Sequence, residues 1–594
     1  MKRSKSYLTI AGFWFRLSLL AGLLLLMVLA GSDFRSVAAN RSANRPHNPK
    51  VLYVPLDNRP INYRDVLSLA EIAGVELLTP PAEILGQDCS PGDTGALMRW
   101  LKDNSHRGDA WVLSWDMLLY GGLAPSRFHN KDVTAIVEQI EELQSILKEA
   151  RAQGIPVYVL ATAMRSAASS ASPKQPGYFA QYGDQIFYLS QLSDLADLGQ
   201  ISPEQEDRLE KIRESIPPVV LANYLNRRDI NLMALEEAVY LTEEGFITYL
   251  VVGRDDTTPH SFTQLEMRWL TALMEWEKAG ERVDSYPGAD ELGGLLLARA
   301  VNHLEQRKPK IYVDWDTPWA PYTIASFEDI SLGDNVELHI KSGGGEPVKT
   351  PRRADLVLVM NTMDTRDRGT PETELQLEDN FEGVAPLLHH RELACRVAEW
   401  QHEGKPVAVA DVAYANSSDQ ALMAALEEAG VLPGLVAYAG CNTAGNSLGL
   451  ALAQGLLWNA AGDAVADTVA AVAEYNPEDI TENAVDPAGN DNDTPSETKQ
   501  AKAQRQCLLT RLGKDWGYQT IIRPALVSKQ PESVGIGTAL GTNTVRNLER
   551  KIKAGLDEFF RTKISPFFKQ KMKIISVTLP WKRLFEIDLQ LEFN

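Results

Sequence analysis

Eight short apolar runs in this chain each end in polar residues able to do chemistry. After the first comes Leu56-Asp57-Asn58-Arg59-Pro60. The second is followed by Ser114-Trp115-Asp116 and then Tyr120-Gly121-Gly122, and the third ends at Thr162-Ala163-Met164-Arg165. The fourth is the most pointed: Gly253-Arg254-Asp255-Asp256-Thr257-Thr258-Pro259-His260. The remaining four supply Asp314-Trp315-Asp316-Thr317-Pro318-Trp319, Asn361-Thr362-Met363-Asp364, Asp411-Val412-Ala413-Tyr414-Ala415-Asn416 and Gly440-Cys441-Asn442-Thr443-Ala444-Gly445-Asn446. Two close carboxylates cannot both ionise cheaply, so one pKa rises and gives a general acid beside a charged partner. Cleavage of a glycosidic bond uses such a pair, one group protonating the leaving oxygen and the other stabilising positive charge. Asp256 is expected to be the acid and Asp255 its charged partner. The plainer reading of the pair is a helix N-cap: Asp256 or Thr258 would hold the first amides of a helix beginning at Ser261, worth about 1 kcal/mol.

The other clusters suit binding. Trp115, Trp315 and Trp319 stand next to carboxylates, the combination that stacks on a sugar ring while hydrogen-bonding its hydroxyls, although tryptophan is also commonly a core residue. Asp57, Asn58, Asp116, Tyr120, Asp314, Asp316, Asn361, Asp411, Tyr414, Asn442 and Asn446 complete the expected substrate-binding set. Arg59, Arg165 and Arg254 could clamp a carboxylate or phosphate, or balance Asp57, Asp116 and Asp255. The nine histidines never fall at metal-ligand spacing, so neither a metal nor a cofactor is expected. A site made of Asp255, Asp256 and His260 is the one metal arrangement worth weighing, and it would make the protein a metal-dependent hydrolase. Cys441 reads as a buried structural thiol, since a nucleophile would need a histidine and an acid that spacing does not supply. Gly535-Ile536-Gly537 with Gly541 misses the dinucleotide-binding spacing by one and follows no clear strand.

Positioning these groups requires strands that alternate with helices, the pattern of an α/β fold with parallel strands. The strong strands are expected at Val51–Pro55, Trp111–Trp115, Pro156–Ala161, Thr248–Val252, Lys310–Val313, Asp355–Met360, Pro406–Ala410 and Leu435–Tyr438. Helices are expected over Thr134–Ala152, Ser261–Ala279, Asp419–Ala429 and Ser447–Leu457. Eight strong strands suggest a (β/α)8-type barrel, which would gather all eight clusters at one mouth. Two weaker strands, Glu76–Thr79 and Pro347–Lys349, support the alternative of two tandem flavodoxin-like parallel sheets, which would divide the clusters between two crevices. Residues 40–460 form the catalytic-type domain in either case. Residues 474–498 read as an acidic disordered insertion, and 499–594 as a C-terminal α+β accessory region ending in a strand pair around Pro580-Trp581.

PLDNRPIN, SWDMLLYGG, GRDDTTP, YAGCNTAGNSLG and the terminal LPWKRLFE together resemble a family of secreted bacterial proteins catalogued as domain of unknown function 4127. The resemblance runs from about residue 50 to the end of the chain. It implies one shared apparatus and names no reaction. Separately, an acidic pair ending the fourth strand of a barrel looks like that of the substrate-assisted hexosaminidases. That analogy implies that Asp255 orients the substrate and Asp256 protonates the leaving group.

The N-terminus gives the compartment. Lys2, Arg3 and Lys5 precede an apolar run, Leu17 to Ala30, and Val37-Ala38-Ala39 supplies small residues for cleavage before Asn40. Residues 1–39 are therefore expected to be a Sec-type signal peptide, leaving a secreted chain without stable membrane insertion. An uncleaved anchor over Leu8 to Ala30 is the alternative, interrupted by Arg16. The 594 residues carry 59 Lys and Arg against 79 Asp and Glu, a net charge of −20 that argues against nucleic acid as a partner. Four scattered cysteines give no zinc pattern or disulfide framework. The expected function is a secreted glycoside hydrolase acting on an extracellular or cell-envelope poly- or oligosaccharide. The competing class is a noncatalytic glycan-binding protein.

Overall fold

The computed structural model describes residues 48–168, 170, 174–255, 257–277, 279–362, 387–465, 498–529, 536–568 and 572–593. The signal-peptide segment, Asp256, Met363, Asp364, Gly535 and residues 474–497 of the acidic insertion lie outside them.

The strands form two parallel sheets and one antiparallel pair. The first sheet contains β1 (Lys50–Val54), β2 (Glu76–Leu78), β3 (Ala110–Ser114), β4 (Val157–Ala163), β5 (Tyr249–Arg254) and β6 (Val283–Pro287), in the order β2-β1-β3-β4-β5-β6. The second contains β7 (Lys310–Trp315), β8 (Glu346–Pro347), β9 (Leu356–Asn361), β10 (Val407–Asp411) and β11 (Leu435–Ala439), in the order β11-β10-β9-β7-β8. In each sheet the first strand in sequence lies between the second and the third. The eight strong strands divide four and four between the sheets, and the two weak ones pair at the sheet edges beside β1 and β7. β12 (Met572–Thr578) and β13 (Asp588–Phe593) pair antiparallel near the C-terminus.

The central strands, such as Val51–Val54, Val157–Ala161 and Leu356–Met360, are apolar throughout because both faces of the sheet are covered there, as parallel sheets require. Alternate residues then enter different cores. Val51, Tyr53, Val112, Leu160 and Val251 of the first sheet share a core with Leu358, Met360, Ala408 and Ala410 of the second. Leu52, Val54, Trp111, Val159 and Val252 face a separate outer core with the helices of the first half. Val357, Val359, Val407 and Val409 face another, filled by Leu508, Trp516, Leu556, Phe560, Leu584 and Leu589 from the C-terminal region. Two sheets thus flank one shared layer. That layer contains the helices Leu292–Leu304 and Ala444–Ala461, apolar on nearly every side because they are buried all round. Two glycines allow the close packing. A Cβ on Gly293 would lie 2.3 Å from the Tyr53 hydroxyl, and one on Gly449 would lie 2.2 Å from Cγ of Glu291.

Among the described residues, no helix is long and apolar enough to cross a membrane. The helix Lys499–Arg511 continues into a π-helix, Leu512–Ile522, an unusual form that often marks a functional segment.

Candidate functional site

The polar ends of the two sheets meet at Asp290, which follows β6 and precedes the helix Leu292–Leu304. Its carboxylate accepts two bonds from Arg59, Nη1 at 3.1 Å and Nη2 at 2.5 Å, and one from Asn62 Nδ2 at 3.0 Å. Asn442, beyond β11, donates to the same carboxylate at 3.1 Å, and the Asp290 amide donates to Asn446 Oδ1 at 3.0 Å. The loop after β1 is folded the same way: Asp57 accepts from the amide and Nε of Arg59, at 3.0 and 2.9 Å, and from Asn62 Nδ2 at 3.0 Å. Arg59 is buried, which works against its charge. Asp290, Asp57 and Glu586 outweigh that and hold it firmly protonated.

Glu586, from the C-terminal region, completes the group. Its Oε1 lies 4.0 Å from Arg59 Nε and has no hydrogen-bond partner among the described residues. Burial pushes its pKa up to about 7; Arg59 and Lys514 oppose this, while Asp290 and Asp57 add to it. Asp255, at the end of β5, is ion-paired to Arg127. Burial would raise its pKa too, but Arg127, Arg165 and Arg59 hold it below the usual carboxylate range. One buried acid near neutrality and one firmly ionised carboxylate therefore answer to the same arginine.

A tryptophan closes this group. Trp581 Nε1 donates to Asn58 Oδ1 at 2.7 Å, and three cations surround its ring. The guanidinium carbons of Arg583 and Arg59 lie 4.7 and 5.3 Å from the centroid, and Lys174 Nζ lies at 5.5 Å. Trp581 and Lys582 both have φ of 53°, left-handed values that bulky residues adopt only where the surroundings enforce them.

The other expected site residues are placed differently. Asp116 is buried and accepts from the Thr162 amide and hydroxyl, at 2.9 and 2.8 Å; burial still pushes its pKa up to about 6. Asp316 makes the same bracket in the second sheet, with the Thr362 amide at 2.6 Å and hydroxyl at 2.9 Å. Asp314 accepts from Arg396 and Trp400, at 3.2 and 2.8 Å, and so faces the helix Leu388–His402. Asn361 and Asp411 belong to a buried group with Asp419 and His390. Asn361 donates to both carboxylates, and His390 Nε2 is 3.0 Å from Asp419. Burial and then Asp419 push Asp411 up to about 7. Tyr120 is buried and stacked on His129, and Tyr414 is half-buried in the turn after β10. Arg254 holds Asp329 in a two-pronged contact, at 2.8 and 2.6 Å.

Three further expectations resolve in the same way. The helix Phe262–Trp276 is capped by Ser261, whose side chain accepts from the Gln264 amide; Thr258 instead donates to the His260 carbonyl. His260 Nδ1 is 2.9 Å from Asp194, and among the described residues no three His, Cys, Asp or Glu side chains group as metal ligands. Cys441 is buried, with its sulfur accepting from Arg511 at 3.1 Å, and burial raises its pKa well above an ordinary thiol's.

Of the three expected stacking tryptophans, Trp115 is buried and Trp315 half-buried against the core, whereas Trp319 is 73% exposed. Tyr322, in the same loop, is 80% exposed, with Ile324 and Phe327 beside it. Asp329 anchors this loop to the end of β5 through Arg254, Thr257 and Gln264.

Of the expected site residues, the structure brings Asp57, Asn58, Arg59, Arg165, Asp255, Asn442 and Asn446 together. Asn62, Arg127, Lys174, Asp290, Trp581, Arg583 and Glu586 are not among the expected ones. The only signal for the last three was the terminal LPWKRLFE segment itself. The family described as "Protein of unknown function (DUF4127)" matches residues 51–590, and the chain belongs to it. No curated protein and no solved structure matches the chain.

Proposed function

We propose that this member of the DUF4127 family is a secreted glycoside hydrolase that acts on an extracellular or cell-envelope polysaccharide where the ends of its two sheets meet. The observation that carries this reading is Glu586, a buried carboxyl whose Oε1 has no hydrogen-bond partner among the described residues and whose pKa is raised to about 7, beside the carboxylates of Asp57 and Asp290 that pair with Arg59. A group poised near neutrality gives up a proton readily and is protonated over much of the working pH range. Glu586 donates that proton to the leaving oxygen, and Asp255, held ionised, stabilises the positive charge that develops on the sugar. Asp256, adjacent to Asp255 in sequence, is the second candidate for the acid. Trp319 and Tyr322 supply exposed rings on which sugar faces stack. The N-terminal signal segment delivers the chain outside the cell.

The test is the release of reducing ends from a panel of envelope and extracellular polysaccharides by the purified chain from Asn40. Glu586→Gln and Asp256→Asn are run in parallel. Loss of turnover with retained sugar affinity in one variant names the acid. Undiminished turnover in both refutes the assignment. A second reading, a noncatalytic glycan-binding protein, is favoured by the ion-pairing of Asp57, Asp290 and Asp255, which makes them part of a neutralised scaffold. Retention of a glycan with no new reducing ends from any substrate would establish it.

A further inference from the structure

Arg583 stands apart from the other cations around Trp581. Arg59 is shared between Asp57 and Asp290, and Lys174 pairs with Asp88. Arg583 is only 6% exposed, yet among the described residues no carboxylate oxygen lies within 4.0 Å of it, and its buried Nε has no hydrogen-bond partner. The guanidinium stacks 4.7 Å from the Trp581 ring centroid and 5.7 Å from that of Phe585, with the charges of Glu586 and Asp57 acting on it only from beyond 4.0 Å. Burial and the neighbouring Arg59 lower its pKa to about 10, and burial, Arg583 and Arg59 together lower that of Lys174 to about 8. A buried guanidinium with unmade hydrogen bonds is costly, and an oxyanion is the partner that matches its planar fork.

The surroundings leave room for the rest of a ligand. A cavity of about 690 Å³, within the usual range for small-molecule sites, is lined by Cys89, Phe128, Gln175, Tyr178, Asn223 and Arg227 among others. Its lining includes Gln175 and Phe128, the chain neighbours of Lys174 and Arg127. The positive charges of Arg583 and Arg127 both reach the Cys89 thiol on its wall.

We infer that Arg583, with Lys174 and Arg59 around the Trp581 ring, is an anion subsite that binds a carboxylate or phosphate group carried by the ligand. Resting on the glycan reading above, this makes the substrate an acidic polysaccharide. A uronic-acid carboxylate and a phosphate ester share the required chemistry. The left-handed backbone at Trp581 and Lys582 sets the stacked geometry in advance, so the guanidinium is already fixed when the anion arrives.

The test is calorimetric titration of the purified protein at low ionic strength with inorganic phosphate. It is followed by oligogalacturonate, the same oligomer as its neutral methyl ester, and a phosphorylated oligomannose with its unphosphorylated parent. The expected result is saturable phosphate binding, weakened at least tenfold in Arg583→Gln and partly restored in Arg583→Lys. An acidic glycan should bind at least tenfold more tightly than its neutral counterpart, and that preference should vanish in Arg583→Gln. Whether the carboxylate or the phosphate glycan shows the preference identifies the source of the anion. Thermal melts confirm that each variant is folded; should Arg583→Gln not fold, Lys174→Gln is expected to weaken phosphate several-fold. Binding of neutral and acidic glycans with equal affinity overturns the subsite and leaves the glycan reading intact. Arg583-dependent phosphate binding without affinity for any glycan supports the subsite and removes the saccharide. No saturable phosphate binding, or binding indifferent to Arg583, overturns the inference.

Discussion

Replacing Glu586 by Gln should remove one identifiable component of the pH dependence of stability. In the folded chain this carboxyl has a pKa of about 7, against an ordinary value of 4.5. Below pH 4.5 it is protonated in both folded and unfolded chains and contributes nothing. Between pH 4.5 and 7 the folded chain keeps a proton that the unfolded chain has released, so stability falls as pH rises. Raising the pKa from 4.5 to about 7, at about 1.4 kcal/mol per pH unit, comes to about 3.5 kcal/mol of destabilisation relative to low pH, complete above pH 7. Gln cannot titrate. The stability of the wild type minus that of Glu586→Gln should therefore fall by about 3.5 kcal/mol from pH 4.5 to pH 7 and then level off. Urea denaturation of both proteins at half-unit intervals from pH 4 to 8.5 measures it, and other titrating groups such as Asp411 cancel in the difference. Parallel curves would refute the reasoning, because they would mean that Glu586 ionises as it does in water. If Glu586 is also the proton donor, activity declines as pH rises through about 7.

Arg59→Met leaves Asp57 and Asp290 buried without their cation and should cost about 3–5 kcal/mol in urea denaturation; a loss below about 1 kcal/mol would contradict its placement. Trp319→Ala combined with Tyr322→Ala should weaken polysaccharide binding about tenfold without moving the melting temperature, since both rings are exposed; unchanged affinity would remove them from the binding surface. Gly449→Ala would bring a methyl group against Glu291 between two packed helices, costing about 1–3 kcal/mol, and a neutral result would show that the layer between the sheets is looser than described.

Much of the scaffold was legible because a parallel strand covered on both faces must be apolar throughout, and Val51–Val54, Val157–Ala161 and Leu356–Met360 are plain examples. Strand β6 escaped notice because Asp284 and Ser285 interrupt it. Asp284 is tolerated there because Lys341 lies 2.8 Å away. The uncertain count of edge strands also left the partition into sheets open, since β2 and β8 have only three and two residues. The polar strand ends stand out in the sequence, but the partners that take them up do not. The carboxylates of Asp116 and Asp316 are taken up by a threonine on the neighbouring strand 46 positions on, a pairing that strand order decides. Asp290 could not be found from strong strands, since it follows the weak β6. Glu586 and Arg583 were invisible for a different reason: nothing local to the C-terminal region says which loop it will cover.

That distance matters for when the protein can work. The hydrogen bond from Trp581 to Asn58 joins residues 523 positions apart. Chains are made and emerge N-terminus first, so the loop after β1 exists long before its cover does. A polypeptide halted anywhere before Trp581 lacks the aromatic ring, the unpaired guanidinium and the near-neutral acid together. The complete group therefore forms only once the chain through Glu586 has been made.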